Sequence, residues 1–202
     1  MTALAVLADL EAVLGRSITD AGQITRYTRL LEMASGLFRT ATGQTISAVT
    51  GDTIDIIDIP IESDLWLPER PVTAVTAIVL NGQTLDPSAY HLYPNGLVRR
   101  TGWISWGGGY SWPSLQTTYN HGYATIPDDI AMRVAGIVAS AIANPGGVKG
   151  ETIDTYSVQY GGLQMTLDRN DPVVVAYRPP ILSVPTQTGV PTGRWAPVGQ
   201  NW

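Results

Sequence analysis

The spacing of apolar residues changes period twice along this chain, and that constrains the fold more than any single motif. Before Gly43 they recur at helical spacing; from Thr45 to about Tyr123 the pattern is that of strands; after Ile126 helical spacing returns. Leu4, Val6, Leu7, Leu10, Val13 and Leu14 predict a helix over about Leu4–Leu14, closed by Gly15. Asp20 followed by Gln23 fits a variant of the capping box, and Ile24, Tyr27, Leu30, Leu31, Ala34, Leu37 and Phe38 keep helical spacing to Thr42-Gly43. These two helices read as an antiparallel pair.

In the middle stretch, Thr53 to Ile59 alternates Ile with Asp and breaks step at Ile56-Ile57, where a bulge or strand end is expected. Val72 to Leu80 is β-branched and is stopped by Asn81-Gly82, a strong hairpin signal. Tyr90 to Tyr93 leads through Pro94-Asn95-Gly96 to a return strand over Leu97–Arg99, and Leu115 to Tyr119 is another strand. Between them Trp103 to Trp112 is aromatic and glycine-rich, and reads as a loop or long hairpin tip.

Helix resumes near Ile126, with Pro127 at its first position, Asp128 and Asp129 complementing the dipole, and Ile130, Val134, Ile137, Val138 and Ala141 as its stripe. Asn144-Pro145-Gly146-Gly147 ends it. A short strand over Thr155–Tyr160 and a short helix over about Asp168–Tyr177, with Pro172 in its first turn, complete the regular part. The fold class is therefore α+β: a small bundle of about four helices, an inserted antiparallel β unit and an extended C-terminal arm. The division expected is a helix pair over 1–44, the β unit over 45–123, helices of the same bundle over 124–177, and the arm over 178–202.

The arm differs in kind from the rest. Five prolines and three glycines between Arg178 and Trp202 exclude regular structure, yet it carries Ile181, Leu182, Val184, Val190, Trp195, Val198 and Trp202. A loose terminus is one reading; exposed Trp and Val are disfavoured without a surface to cover them, which favours an arm that docks on another subunit or partner. Fully extended it reaches on the order of 80 Å.

Charged residues make up only 14% of the chain, well below the quarter usual for globular proteins, which suits a surface buried against partners. With 12 basic and 17 acidic residues and Lys149 the only lysine, the composition argues against a protein held to nucleic acid by a basic patch. No cysteine is present, no apolar run is long enough to span a bilayer, and the N-terminus lacks the basic region of a signal peptide, so no membrane is expected. The residues offer little chemistry: His91 and His121 lack a metal-spaced partner, and the Gly107–Gly109 run lacks the Lys and helix of a phosphate loop. No enzyme, metal or cofactor is expected. Asp52, Asp55, Asp58, Glu62 and Asp64 read as the solvated face of a strand. Trp103, Trp106, Tyr110 and Trp112 are a candidate contact, between subunits or on a tail side, with a carbohydrate-stacking platform as the alternative.

The order of motifs is more specific than any one of them. A helix pair is followed by Leu67-Pro68-Glu69-Arg70-Pro71-Val72-Thr73-Ala74-Val75, then Asn81-Gly82, Tyr90-His91-Leu92 and Gly96-Leu97-Val98-Arg99. Thr118-Tyr119-Asn120-His121-Gly122-Tyr123 and a helix opened by Ile126-Pro127-Asp128-Asp129-Ile130 come next, then Glu151 to Val158 and Tyr177-Arg178-Pro179. This series, from about Leu4 to Pro180, resembles the head-to-tail connector (adaptor) proteins of long-tailed bacteriophages; the aromatic loop and the long arm depart from the pattern. The resemblance implies a structural virion protein of the neck, assembled in the host bacterial cytoplasm. It implies a homo-oligomeric, dodecameric ring under the portal protein that extends the DNA channel and docks a stopper or tail-terminator protein. DNA would pass its lumen without specific binding. Members of that family insert their C-terminal segments against the portal, which here points to Arg178, Ile181, Leu182, Val184, Trp195 and Trp202. A stopper or tail-completion protein is the neighbouring reading.

Overall fold

The computed structural model describes residues 3–56, 63–93, 95–107, 114–144 and 163–179, and the backbone of 155–160. It is α+β, with helices at both ends of the order and antiparallel sheets between and after them. The first helix, α1, is Leu7–Leu14, shorter than its apolar stripe. Leu4 and Ala5 are buried ahead of it, with the Leu4 N–H donating to Ser35 Oγ (2.9 Å), while Val6 and Val13 face outward. The second, α2, is Ala21–Thr42, and Asp20 Oδ1 accepts the Gln23 N–H at 2.7 Å, the capping contact read from the sequence. Leu10, Leu30, Leu31 and Phe38 are buried from these helices, but α1 packs chiefly against the third helix and not against α2.

Strands β1 (Val49–Ile56), β2 (Asp64–Trp66), β3 (Val72–Leu80), β4 (Gln83–Thr84), β5 (Tyr90–Leu92), β6 (Leu97–Arg100) and β7 (Leu115–His121) form two sheets, ordered β1-β7-β3-β4 and β2-β6-β5. The turn between β3 and β4 holds Asn81 and Gly82 at φ 52° and 77°, the paired left-handed residues that Asn-Gly supplies most readily. β7 lies between β1 and β3 and runs to His121, two residues past the expected Tyr119. It alternates strictly, with Leu115, Thr117, Tyr119 and His121 inward. Leu65, Ile78, Val98, Trp106, Leu115 and Tyr119 make the core of this β unit.

Helix α3 is Asp128–Ala143, with Pro127 as its cap and not its first residue, and Ile130, Val134, Ile137, Val138 and Ala141 are all buried. A hairpin follows: β8 (Thr155–Tyr160) and β9 (Leu163–Asp168). Helix α4 is Pro172–Tyr177. Asp168, expected to open the last helix, instead ends β9, whose inward Leu163, Met165 and Leu167 join the helical core with Val174 of α4. Ile57 to Ile59, which the alternating pattern included, lie outside the described residues.

Candidate interaction surfaces

Two of the sequence strings that carry the resemblance meet in space. Gln44, just past α2, uses its side-chain amide to donate to Pro68 O (2.8 Å) and accept from the Arg70 N–H (2.8 Å). Glu69 accepts from the Thr45 N–H (2.9 Å) and Thr45 Oγ1 (3.1 Å). His121, at the end of β7, is 2% exposed and sits between carboxylates: its Nε2 is 3.2 Å from Asp52 and its Nδ1 3.9 Å from Glu69. Burial, with the nearby carboxylates of Asp52 and Glu69 in support, pushes the neighbouring Tyr119 hydroxyl up to about 12.

Residue 122 must be glycine in this seam. Its φ is 82°, and a Cβ there would lie 2.3 Å from Ser47 O. The close approach lets the Tyr123 N–H donate to Ile46 O (2.8 Å) and the Ala48 N–H to Tyr123 O (3.0 Å). Ile46 pays with a left-handed φ of 66°, rare for a β-branched residue. The motifs Leu67–Val72 and Thr118–Tyr123 are thus a polar seam joining the β unit to the end of α2. A cleft of about 520 Å³ beside it is lined by Arg39, Thr40, Gln44, Ser47, Val49 and Glu69 among others.

The outer face of the β2-β6-β5 sheet carries a second cluster. Asp64, Arg99 and His91 are register partners in a row. Arg99 donates both Nε (2.5 Å) and Nη2 (2.7 Å) to the Asp64 carboxylate. The hydrogen bond from Arg99 holds that carboxylate below its usual range. The same guanidinium lies 4.6 Å from the Trp103 ring centroid and 5.4 Å from that of Tyr93, and His91 meets Tyr93 edge-on at 4.7 Å.

The aromatic set read from the sequence divides here. Trp103 is 73% exposed, whereas Trp106 is buried in the core of the β unit with its Nε1 donating to Ser63 O (2.7 Å). Trp106 therefore presents no surface of its own. Tyr110 and Trp112 lie outside the described residues.

Of the clustered carboxylates, Asp52 meets His121, Asp55 accepts from Gln116 (2.9 Å) and Asp64 holds Arg99; Asp58 and Glu62 lie outside the described residues. Each of the three has a partner, so they do more than face solvent. Among the described residues no three His, Asp or Glu side chains gather as a metal would need, and no helix is long and apolar enough to cross a membrane.

Arg178, the first residue of the expected arm, belongs to the folded body: its Nε donates to Ala41 O in the last turn of α2 (3.0 Å). One residue earlier, Tyr177 Oη donates to the Asp129 carboxylate (2.9 Å). Ile181, Leu182, Val184, Trp195 and Trp202 lie outside the described residues. Gln44, Glu69 and Asp64 went unsingled in the sequence as structural residues because their partners are 24 to 35 positions away.

No known family profile matches the chain, and no curated protein matches it. Its fold is similar to that of a chain in the neck of an empty gene transfer agent particle, a structure computed with six-fold symmetry. The match has a TM-score of 0.54 and 16% sequence identity, and covers 76% of this chain and 87% of that one.

Proposed function

We propose that this chain is a structural protein of the neck of a phage-like particle, a head-to-tail adaptor. The observation that carries this is the fold it shares, over 87% of the other chain, with a component of a gene transfer agent neck. The order of sequence motifs supports it independently, and two of those motifs meet in the seam that joins the β unit to the end of α2. In this reading the chain forms a ring, dodecameric as in the adaptors it resembles, under the portal protein and in register with the DNA channel. The six-fold symmetry used for the neighbour's particle is compatible with that number. A stopper or tail-terminator protein docks on the other side, in the virion neck, after assembly in the host cytoplasm.

The low content of charge suits burial between subunits, and a net charge of -5, repeated around a ring, lets DNA slide through the lumen. Ile181, Leu182, Val184, Trp195 and Trp202 are the anchors of a Pro-rich arm that inserts against the portal; such a chain loses less entropy on docking than a Gly/Ser one. Arg178 roots it. The exposed Trp103 belongs to a contact within the ring or with the tail side.

A pull-down on purified portal rings tests this, with the full chain and a truncation ending at Pro179, which keeps the Arg178 contact. Binding by the full chain alone is expected. Equal binding by both would move the portal contact off the arm. Binding by neither, with capture on a preassembled portal–adaptor complex instead, would make the chain a stopper or tail-completion protein.

A further inference from the structure

The β unit holds two Asn-Gly pairs, Asn81-Gly82 between β3 and β4 and Asn95-Gly96 between β5 and β6. Asn before Gly is open to self-modification, because no side chain on the second residue hinders the approach of its nitrogen. That nitrogen adds to Asn Cγ, the bond from Cγ to the side-chain nitrogen breaks, and ammonia leaves. A five-membered succinimide remains. Water opens it at one carbonyl to Asp and at the other to isoaspartate. As sequence the two pairs are equivalent; the fold separates them.

The electrophile is much the same in both. Asn81 Oδ1 accepts from the Ser114 N–H (3.0 Å) and Asn95 Oδ1 from the Leu97 N–H (3.2 Å). Each carbonyl thus already carries a backbone donor on the oxygen where charge gathers as the nitrogen adds. The difference lies in the nucleophile.

Gly96 is held. Its N–H donates to Tyr93 O (3.0 Å) and its carbonyl accepts from the Leu67 N–H (3.1 Å). It is buried, and side-chain atoms of Val72 and Arg70 would lie 3.3 and 3.4 Å from a Cβ placed there. Turning its nitrogen onto the Asn95 side chain requires this packing to open. Gly82 is free of all that. It and Asn81 are both exposed, nothing lies within 4 Å of its Cβ position, and its N–H donates to no acceptor among the described residues. The strand that follows, β4, is two exposed residues long, so this end of the sheet opens with the loss of few contacts.

We propose that Asn81 is a site of spontaneous covalent modification by the Gly82 nitrogen, and that the fold protects Asn95 from the same reaction. The product matters to the sheet. Asn81 clasps the residue before β7 twice, its N–H donating to Ser114 O (2.8 Å) and its Oδ1 accepting from the Ser114 N–H. Isoaspartate runs the backbone through the former side chain and adds a methylene to a two-residue turn, so the clasp on Ser114 is lost.

The test incubates the full chain, folded and in denaturant, at neutral and mildly alkaline pH. Digests are read by mass spectrometry for a gain of about 1 Da at each Asn, and by isoaspartate-specific methylation. The rate at each site in the folded chain is divided by its rate in denaturant. Folding is expected to slow Asn95 at least about ten-fold more than Asn81, the factor that one hydrogen bond and the packing over it supply. Asn81→Gln, which would need a larger ring, should abolish the reaction at 81 and leave Asn95 unchanged. Equal protection of the two sites, or faster reaction at Asn95, overturns the proposal. If the isoaspartate form exchanges its Ser114 amide hydrogen no faster than the unmodified chain does, the site stands and its effect on β7 is overturned.

Discussion

Replacing Gly122 with alanine probes the seam through a single atom. The φ of 82° costs an L-residue roughly 1–2 kcal/mol. The added Cβ, 2.3 Å from Ser47 O, cannot coexist with that carbonyl, and because the obstacle is backbone no rotamer change relieves it. The strand ends must part, and the two hydrogen bonds between Tyr123 and Ile46 and Ala48 go with them, at roughly 0.5–1.5 kcal/mol each. Relaxation of the left-handed Ile46 offsets part of the loss. The sum is about 3 kcal/mol, which for a chain of this size lowers the melting temperature by roughly 6–12 °C. Calorimetry on Gly122→Ala measures it, with Gly36→Ala as control. Gly36 sits in α2 with nothing within 4 Å of an added Cβ, so that change should stabilise by roughly 0.5–1 kcal/mol. A Gly122→Ala protein melting within about 2 °C of wild type would refute the claim that this contact holds the seam.

Trp106→Ala should cost about 3–5 kcal/mol, since it empties the core of the β unit and removes the indole hydrogen bond to Ser63 O, which keeps the Arg100 N–H; chemical denaturation checks it, and a surface-like loss below about 1 kcal/mol would contradict its burial. The Asp64–Arg99 pair makes stability depend on pH in one direction. Arg99 lowers the folded-state pKa of Asp64, so the contribution is present above the usual carboxylate range and is lost as pH falls through the lowered value. Asp64→Asn should therefore be less stable than wild type at neutral pH and equal to it in strong acid, by melts across the range; a gap that persists in acid would refute the assignment.

What the sequence made legible was local. Asn81-Gly82 and the Asp20 cap are decided by contacts within four residues, and their positions were readable to the residue. The long stripes of α2 and α3 were equally plain. β9 was hidden by its own ending: Asp168 before Pro172 looks like a helix start, although Leu163, Met165 and Leu167 alternate as a strand does. The seam was readable as strings but not as an object, because Gln44, Glu69 and His121 find their partners across the chain. Trp103 and Trp106 stand three positions apart in similar company, and only the packing of β2 and β6 beneath one of them makes the first a surface and the second a core.

The contacts of Tyr177 and Arg178 have a mechanical consequence. A chain end that is pulled transmits tension to whatever holds it first, and here that is not the six residues of α4 alone. Arg178 ties the exit point to Ala41 at the end of the 22-residue α2, and Tyr177 ties it to Asp129 at the start of α3. Tension arriving at Pro179 is therefore shared with the two longest helices among the described residues, one at its last turn and the other at its first.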